Sequence, residues 1–169
     1  LNGNRILEDG HGLLANIYGE SMLNRFHKDI LACPGVKKII FKEGINDMLH
    51  PRSLTVGAKK MTTARDIIGG IQKVIDMAHE NDLKIYVSTL TPFKGFGKLL
   101  PGIRDFTWTQ ETQDIVDDVN QWIKNCNADA VINTDFMVDE NKPDTMKEEY
   151  AIDFLHYKPI AQKLFIENI

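Results

Sequence analysis

The sequence predicts a doubly wound α/β fold in which helices cover both faces of a parallel sheet, and two observations predict it. The first is a set of three short runs of β-branched or aromatic residues that end in polar or glycine-containing turns. The second is that amphipathic helical patterns separate these runs, so that strands and helices alternate along the chain. This order is typical of a three-layer α/β/α domain with a flavodoxin-like sheet.

The predicted strands are 36–44 (VKKIIFKEG), 83–90 (LKIYVSTL) and 128–135 (ADAVINTD). Each is a short run with β-branched or aromatic residues, and helical stretches lie between the runs. We therefore expect the three strands to lie parallel in one sheet.

Two amphipathic helices are predicted between the strands, each with a start signal. Thr63 and Asp66 have the spacing of a capping box, as do Thr107 and Gln110. The apolar positions that repeat at helical spacing are Ile67, Ile68, Ile71, Val74, Ile75 and Ala78 in the first helix, and Ile115, Val119, Trp122, Ile123 and Cys126 in the second.

Helices are also predicted near the two ends of the chain, over 14–31 and 158–168, with Gly19 weakening the first. The pattern contains no internal repeat, low-complexity tract or linker. We therefore interpret residues 1–169 as belonging to one domain.

Composition narrows the function classes. The 169 residues are 43% hydrophobic and 26% charged, which suits a globular domain with a sizeable core. A net charge of −4 and scattered lysines and arginines make nucleic acid an unexpected partner, and no apolar run could span a bilayer. The two cysteines, Cys33 and Cys126, are interpreted as buried free thiols. Localisation, secreted or cytoplasmic, stays open.

Polar residues mark three points where chemistry is expected, because ligands of such folds bind at the carboxyl ends of the strands. EGIND (43–47) follows the first strand, LNGNRI (1–6) opens the chain, and DFLH (153–156) precedes the last helix. Taken singly, the first two are ordinary turn sequences, and a lone histidine such as His156 is more often a surface residue than a base.

Taken in order, these blocks resemble the SGNH (GDSL-type) hydrolase superfamily. The longer stretches FHKDILACPGVKKIIFKEGIND and LKIYVSTLTPF add to the resemblance, which is greatest to a branch of secreted-type esterases that includes acylhydrolases of xylan-degradation gene clusters. The resemblance implies a serine esterase that acts on short acyl esters, with an acetylated saccharide as one substrate class.

The resemblance also implies a role for each residue. His156 is the general base and Asp153, one turn away, orients its ring, while Gly3 and Asn46 donate hydrogen bonds to the oxyanion. A backbone N–H of a glycine allows close approach of the ester, and an asparagine amide is a neutral donor. Asp47 and Gly44 are expected behind them, holding the loop. This mechanism requires no metal or organic cofactor.

The nucleophile is missing from the sequence. In the family it lies in a Gly-Asp-Ser block after the first strand, and no such block is present here. The available serines, Ser21, Ser53 and Ser88, fall in a predicted helix, a loop and a strand. We therefore interpret the chain as the C-terminal portion of an SGNH-like domain, with the serine upstream of residue 1.

The first strand of the family is absent for the same reason. In the order 2-1-3-4-5 that strand is central, so that its absence leaves two sheet edges unpaired. We expect an N-terminal segment, a separate chain or a swapped partner to fill the slot.

Other functions stay open. The main alternative is a non-catalytic domain of the same fold that binds carbohydrate or another partner, and a flavin- or nucleotide-binding domain is disfavoured because no glycine-rich phosphate loop follows a strand. The aromatic-rich segment 91–108 is interpreted as a substrate-binding lid, and Tyr157 as a cleft residue or, more commonly, an exposed loop aromatic. Surface or capping roles are expected for His11, His27, His50 and His79.

Overall fold

A parallel sheet of three strands forms the centre of the structure, a computed structural model that describes residues 3–12, 15–52, 61–96 and 108–169. The strands are β1 (Lys38–Phe41), β2 (Lys84–Ser88) and β3 (Ala130–Ile132), with β2 between the other two. Both pairs are parallel, with Phe41 opposite Val87 and Ser88 opposite Ile132. The predicted α/β class and the three strands are confirmed, although each strand is shorter than its sequence pattern because the pairing covers only the middle of the run.

Six helices are present in the part of the chain that the structure describes. They are α1 (Ala15–Tyr18), α2 (Met22–Phe26), α3 (Ile45–Arg52), α4 (Ala64–Glu80), α5 (Gln110–Ile123) and α6 (Pro159–Glu167). The two predicted central helices correspond to α4 and α5, whose apolar stripes bury Ile71 and Val119 among others. The predicted C-terminal helix corresponds to α6.

The starts of α4 and α5 are both capping boxes, one of them displaced from its predicted position. Thr63 Oγ1 accepts from the N–H of Asp66 at 3.2 Å and Asp66 Oδ2 accepts from the N–H of Thr63 at 3.0 Å, as predicted. At α5 the cap is Thr109 with Thr112, whereas Gln110 is already the first helical residue. Thr107 lies outside the described residues.

The predicted helix over 14–31 is broken in two. Gly19 has a φ of +68° and separates α1 from α2, and the second piece continues from α2 as a π-helical turn over His27–Leu31. The glycine supplies the left-handed conformation at the break without the steric penalty that a side chain would meet. Ser21 caps α2 by accepting from the N–H of Asn24 at 3.3 Å.

The main hydrophobic core lies between the sheet and the helices α2, α4 and α5, where α4 packs against α5, β2 and α2. Ile85 and Val87 of β2 point into this core, and because side chains alternate along a strand, Tyr86 points to the other face. A second cluster on that face includes Ile132, Ala161 and Phe165, so that α6 covers the sheet from the side opposite α4 and α5. This gives the three layers that the fold class requires.

A short antiparallel hairpin, β4 (Val138–Asp139) and β5 (Lys142–Met146), follows β3 and was not predicted. Met146 of β5, and Met137 of the 3-10 turn just before β4, are buried in the second cluster. The sequence signal is weak because β4 has only two residues and Pro143 interrupts β5.

The outer edge of β1 has no strand beside it in the described part of the chain. Ile40, on the α6 side of this strand, is 53% exposed, an unusual degree for the middle of a parallel sheet. The helices that the structure describes include none long and apolar enough to cross a membrane.

Both cysteines are free, but the expectation that they are buried is wrong. Cys33 is exposed and Cys126 is half-buried. Cys33 lies in the surface turn that ends at Gly35, where its sulfur is 3.1 Å from the carbonyl oxygen of Asp29.

Candidate active site

A cavity of about 220 Å³ opens at the carboxyl ends of β1 and β2. Four separate parts of the chain line it: the N-terminal turn, the connection from β1 to α3, the segment after β2, and the loop before α6. The lining residues are Gly3, Asn4, Lys42, Glu43, Gly44, Ile45, Asn46, Thr89, Leu90, Thr91, Leu155, His156 and Tyr157. All three sequence blocks that carry candidate residues therefore meet at one place.

His156, which lines this cavity, is hydrogen-bonded to Asp153. His156 Nδ1 lies 2.8 Å from Asp153 Oδ2, while Asp153 Oδ1 accepts the backbone N–H groups of Leu155 at 3.1 Å and His156 at 2.8 Å. Partial burial acts to raise the pKa of Asp153, but the hydrogen bonds outweigh it and the pKa is below its usual value. Asp153 therefore stays ionised near neutral pH and can hold the ring in one tautomer.

The second ring nitrogen of His156 is available for chemistry. The His156 side chain is 65% exposed, and Nε2 has no hydrogen-bond partner among the described residues. A base whose Nδ1 is held by a carboxylate and whose Nε2 is free can take a proton from a hydroxyl group placed in the cavity.

The loop that carries this pair contains a strained residue. Phe154 has a φ of +67°, which is uncommon for any residue with a bulky side chain. Its ring packs on Gly95, where a Cβ atom would lie only 3.1 Å from the ring, and Phe96 contacts the His156 ring edge-on with 6.2 Å between centroids. The segment after β2 therefore supports the conformation in which Asp153 and His156 face each other.

Asn46 lies in the first turn of α3, directly after the turn at Gly44. Its Nδ2 donates to the carbonyl oxygen of Asn4 at 3.0 Å, which ties the β1–α3 connection to the N-terminal turn. An amide nitrogen carries two hydrogens, so one remains for a group in the cavity. Gly44 has a φ of +130°, a conformation that side-chain-bearing residues rarely adopt.

Gly3 occupies a site that only glycine fits. Its φ is +67°, and a Cβ atom there would lie 2.5 Å from the Tyr18 ring and 3.2 Å from His50 Nε2. The rings of Tyr18 and His50 contact each other, with centroids 4.5 Å apart. The two rings thus support the turn from behind, and the backbone of Gly3 faces the cavity without a side chain in the way.

Asp47 does not line the cavity but lies directly behind it. Its two carboxylate oxygens accept the N–H groups of Ile6 at 2.9 Å and Leu7 at 3.0 Å, which connects α3 to the chain that follows Gly3. Burial raises the pKa of Asp47 to about 6, although the two backbone hydrogen bonds act to lower it. Its position is that of a residue which fixes the loop.

Comparison with known proteins identifies the fold. No protein family and no curated relative matches the chain, but solved structures do. A GDSL-like lipase from Bacteroides thetaiotaomicron superposes with a TM-score of 0.62 at 21% identity, over 86% of this chain and 64% of that one. The acetyl xylan esterase AlAXEase superposes with a TM-score of 0.64 at 16% identity, over 99% of this chain and 75% of that one.

This chain has the SGNH (GDSL-like) hydrolase fold. An acetyl-xylooligosaccharide esterase from Geobacillus stearmophilus agrees, with a TM-score of 0.53 at 17% identity over 87% of this chain and 63% of that one. The resemblance predicted from the sequence is confirmed at the level of the fold. The chain spans 64% of the length of the Bacteroides lipase, slightly less than two thirds.

The serines of this SGNH fold lie away from the cavity where the structure describes them. Ser21 is buried at the start of α2, and the buried Ser88 hydroxyl donates to the carbonyl oxygen of Thr89 at 2.8 Å. Ser53 lies outside the described residues. Within the described ranges, no group of His, Cys, Asp and Glu side chains could hold a metal ion.

Two expectations about ring-bearing residues near the site can be compared with the structure. The surface or capping role of His50 is wrong, because His50 is buried behind Gly3, where burial together with Arg5 lowers its pKa to about 4. For Tyr157 the exposed-loop interpretation is wrong and the cleft interpretation agrees with the structure, because the residue is buried and lines the cavity, with its hydroxyl 3.4 Å from Thr91 Oγ1. Neither residue lay in a helix or strand predicted from the sequence, although His50 is part of α3.

A buried polar network behind the cavity was also missed. Asn4 Nδ2 donates to the carbonyl oxygens of Tyr18 and Glu20, both at 2.7 Å, while Asn4 Oδ1 accepts from Arg25. Arg25 also pairs with Glu43 at 3.0 Å. Asn4 follows Gly3 in a sequence that reads as an ordinary turn, so no local signal distinguishes it.

The predicted lid is described only at its two ends. Phe93 is buried in the core, and Trp108 lies under the Lys94 ammonium group, 4.2 Å from ring centroid to Nζ. Lys94 also pairs with Asp144 of β5. Phe106 lies outside the described residues, so the lid remains a prediction.

Proposed function

We propose that the chain belongs to a serine esterase that removes acetyl or other short acyl groups, with acetylated saccharides as its substrate class. The observation that carries the proposal is the His156–Asp153 pair, whose free Nε2 shares one cavity with Gly3 and Asn46. A domain that only binds a ligand does not need a base, a carboxylate that orients it and oxyanion donors together. The names of two solved structures with this fold, an acetyl xylan esterase and an acetyl-xylooligosaccharide esterase, support the substrate class.

The proposed reaction has two halves. A serine hydroxyl attacks the ester carbonyl while His156 Nε2 takes its proton, and Asp153 stabilises the imidazolium that forms. The oxyanion accepts hydrogen bonds from the N–H of Gly3 and from Asn46 Nδ2. His156 then protonates the leaving alkoxide, and a water molecule releases the acyl group by the same steps, which regenerates the serine.

The serine is proposed to lie upstream of residue 1, in a strand and loop beside β1. The unpaired outer edge of β1 and the exposure of Ile40 support this position, because a further parallel strand would satisfy the edge and a following helix would cover the side chain. An N-terminal segment, a separate chain or a swapped partner could each supply that strand. In this proposal residues 1–169 are the C-terminal portion of a single domain.

The test is to label the protein with a fluorophosphonate serine probe and to measure hydrolysis of p-nitrophenyl acetate on the same sample, with its intact mass. We expect labelling of a serine outside residues 1–169, together with turnover that His156→Asn abolishes. His27→Asn is the matched control, because His27 is exposed and lies outside the cavity. A sample that contains the upstream segment, but shows neither label nor turnover, would favour the non-catalytic binding domain instead.

A further inference from the structure

Lys42 is a charged residue of the cavity that the proposed mechanism does not use. It follows the last residue of β1 and lines the cavity together with Asn46 and His156. It also lines the adjoining groove between the His156 loop and α6, so its side chain stands where the two openings meet.

Within the described part of the chain, the Lys42 ammonium group lies over an aromatic ring and has no counter-ion. Its Nζ lies 4.1 Å from the centroid of the Tyr157 ring, which is buried beneath it. Among the described residues, no carboxylate lies within ion-pair distance of Lys42 and no hydrogen bond to it is formed. Two acidic groups near the cavity have other partners, Glu43 with Arg25 and Asp153 with His156.

These contacts determine what Lys42 can recognise. Because the ammonium group occupies one face of the Tyr157 ring, that face is not available for a sugar ring to stack on it. A cation–π contact holds the amine at the cavity wall without neutralising its charge. Lys42 as a residue is exposed, but protein atoms packed around its amine lower the pKa of Lys42, with Glu43 acting in the opposite direction. The charged amine can therefore form a charge-assisted hydrogen bond with an anion that enters the cavity.

We infer that Lys42 is a specificity residue that binds a carboxylate on the alcohol side of the substrate, so that the site prefers esters of acidic sugars. In that arrangement the acid group lies against the Lys42 ammonium group and the ester lies towards His156 and Asn46. This inference rests on the proposed esterase function for its meaning, but the binding step that it describes requires no nucleophile.

The test is a binding titration of the protein, with the segment that pairs with β1 present, against sodium D-glucuronate and against D-glucose, followed by NMR at constant ionic strength. Lys42, just after β1, and Lys38, within β1, provide a matched pair of variants. Lys42→Met removes the proposed cation, and Lys38→Met removes a lysine that lies 5.6 Å over the Tyr86 ring and outside the cavity. Lys42→Gln is a second variant without the charge, and comparison of its NMR spectrum with that of the parent protein shows whether it is folded.

We expect glucuronate to bind about tenfold more tightly than glucose, and we expect both Lys42 variants, but not Lys38→Met, to abolish the difference. Equal affinity for the two sugars would overturn the inference. It would also be overturned if the preference survived in Lys42→Met and Lys42→Gln, or if Lys38→Met reduced it equally, because the charge of His156 or the overall field would then explain it. Failure of the esterase proposal would appear in the serine-labelling experiment and not in this one.

Discussion

Asp153 and His156 are joined twice within one turn of chain, by a backbone hydrogen bond of 2.8 Å to Oδ1 and a side-chain hydrogen bond of 2.8 Å between Oδ2 and Nδ1. The carboxylate thus fixes both the loop and the ring that the loop presents. The three-residue spacing allows both contacts to be made by one carboxylate.

Replacing Asp153 by asparagine separates these two roles. The introduced amide can still accept the backbone N–H groups through its oxygen, but its NH₂ group can donate to Nδ1 and so place the ring proton on Nε2, the wrong nitrogen for a base. In the complete esterase we expect Asp153→Asn to lower kcat for p-nitrophenyl acetate by about 10³- to 10⁴-fold with little change in stability. A loss below tenfold would contradict the proposed role of Asp153. Asp139→Asn, in the surface hairpin, is the control.

Gly95 is predicted to control the conformation of the His156 loop through Phe154. Gly95→Ala adds a Cβ atom 3.1 Å from the Phe154 ring at a φ of +100°, and should lower the free energy of unfolding by about 1–3 kcal/mol. Gly69→Ala is the matched control, because the added methyl group meets nothing within 4 Å and α4 should gain about 0.5–1 kcal/mol. Urea denaturation of the two variants measures both effects. An unchanged free energy of unfolding in Gly95→Ala would show that the Phe154 ring moves aside at little cost.

Alanine substitutions at Gly3 and Gly12 distinguish the effect of steric contact from the effect of backbone strain. Both have nearly the same φ, +67° and +65°, but a Cβ atom on Gly3 would meet the Tyr18 ring at 2.5 Å whereas one on Gly12 meets nothing within 4 Å. We expect Gly3→Ala to destabilise the fold by about 1–3 kcal/mol more than Gly12→Ala does. Equal losses, measured by the same denaturation, would mean that Tyr18 moves aside and that the turn is not held from behind.

The parts of this structure that could be predicted from the sequence are those with a local signal. A regular apolar stripe and the Thr63–Asp66 capping box indicate helix α4, and His156 stands out because Asp153 is one turn before it. His50 could not be predicted in the same way. Its burial depends on Tyr18, a partner far earlier in the chain whose contact exists only after the N-terminal segment has folded over α3.

The burial of Cys33 and Tyr157 could not be predicted from the adjacent sequence. Residue type favours a buried Cys33, yet this residue lies in a surface turn. The sequence left Tyr157 open between a cleft residue and an exposed loop aromatic, and its burial depends on a tertiary neighbour, Phe165 of α6, with 6.4 Å between ring centroids.

Asp47 and His50, the two titrating groups behind the Gly3 turn, should change the free energy of unfolding in opposite directions as the pH rises from 4 to 6. The pKa of Asp47 is raised in the folded state to about 6 from 3.8, so the native state holds an extra proton there, and this contribution to stability is lost as the pH rises towards 6. The pKa of His50 is lowered to about 4 from 6.5, so the unfolded state holds the extra proton, and this contribution is lost as the pH falls towards 4. In the wild-type protein the two slopes largely cancel.

Single substitutions should therefore reveal a pH dependence that the wild type conceals. With Asp47→Asn only the His50 contribution remains, and the free energy of unfolding should rise with pH between 4 and 6 by up to about 1.4 kcal/mol per pH unit. With His50→Gln only the Asp47 contribution remains, and the slope should have the opposite sign. Urea denaturation at pH 4, 5 and 6 measures both slopes. If the two variants changed with pH in the same direction, the assignment of a proton-binding carboxyl group and a neutral imidazole to the buried layer behind Gly3 would be wrong.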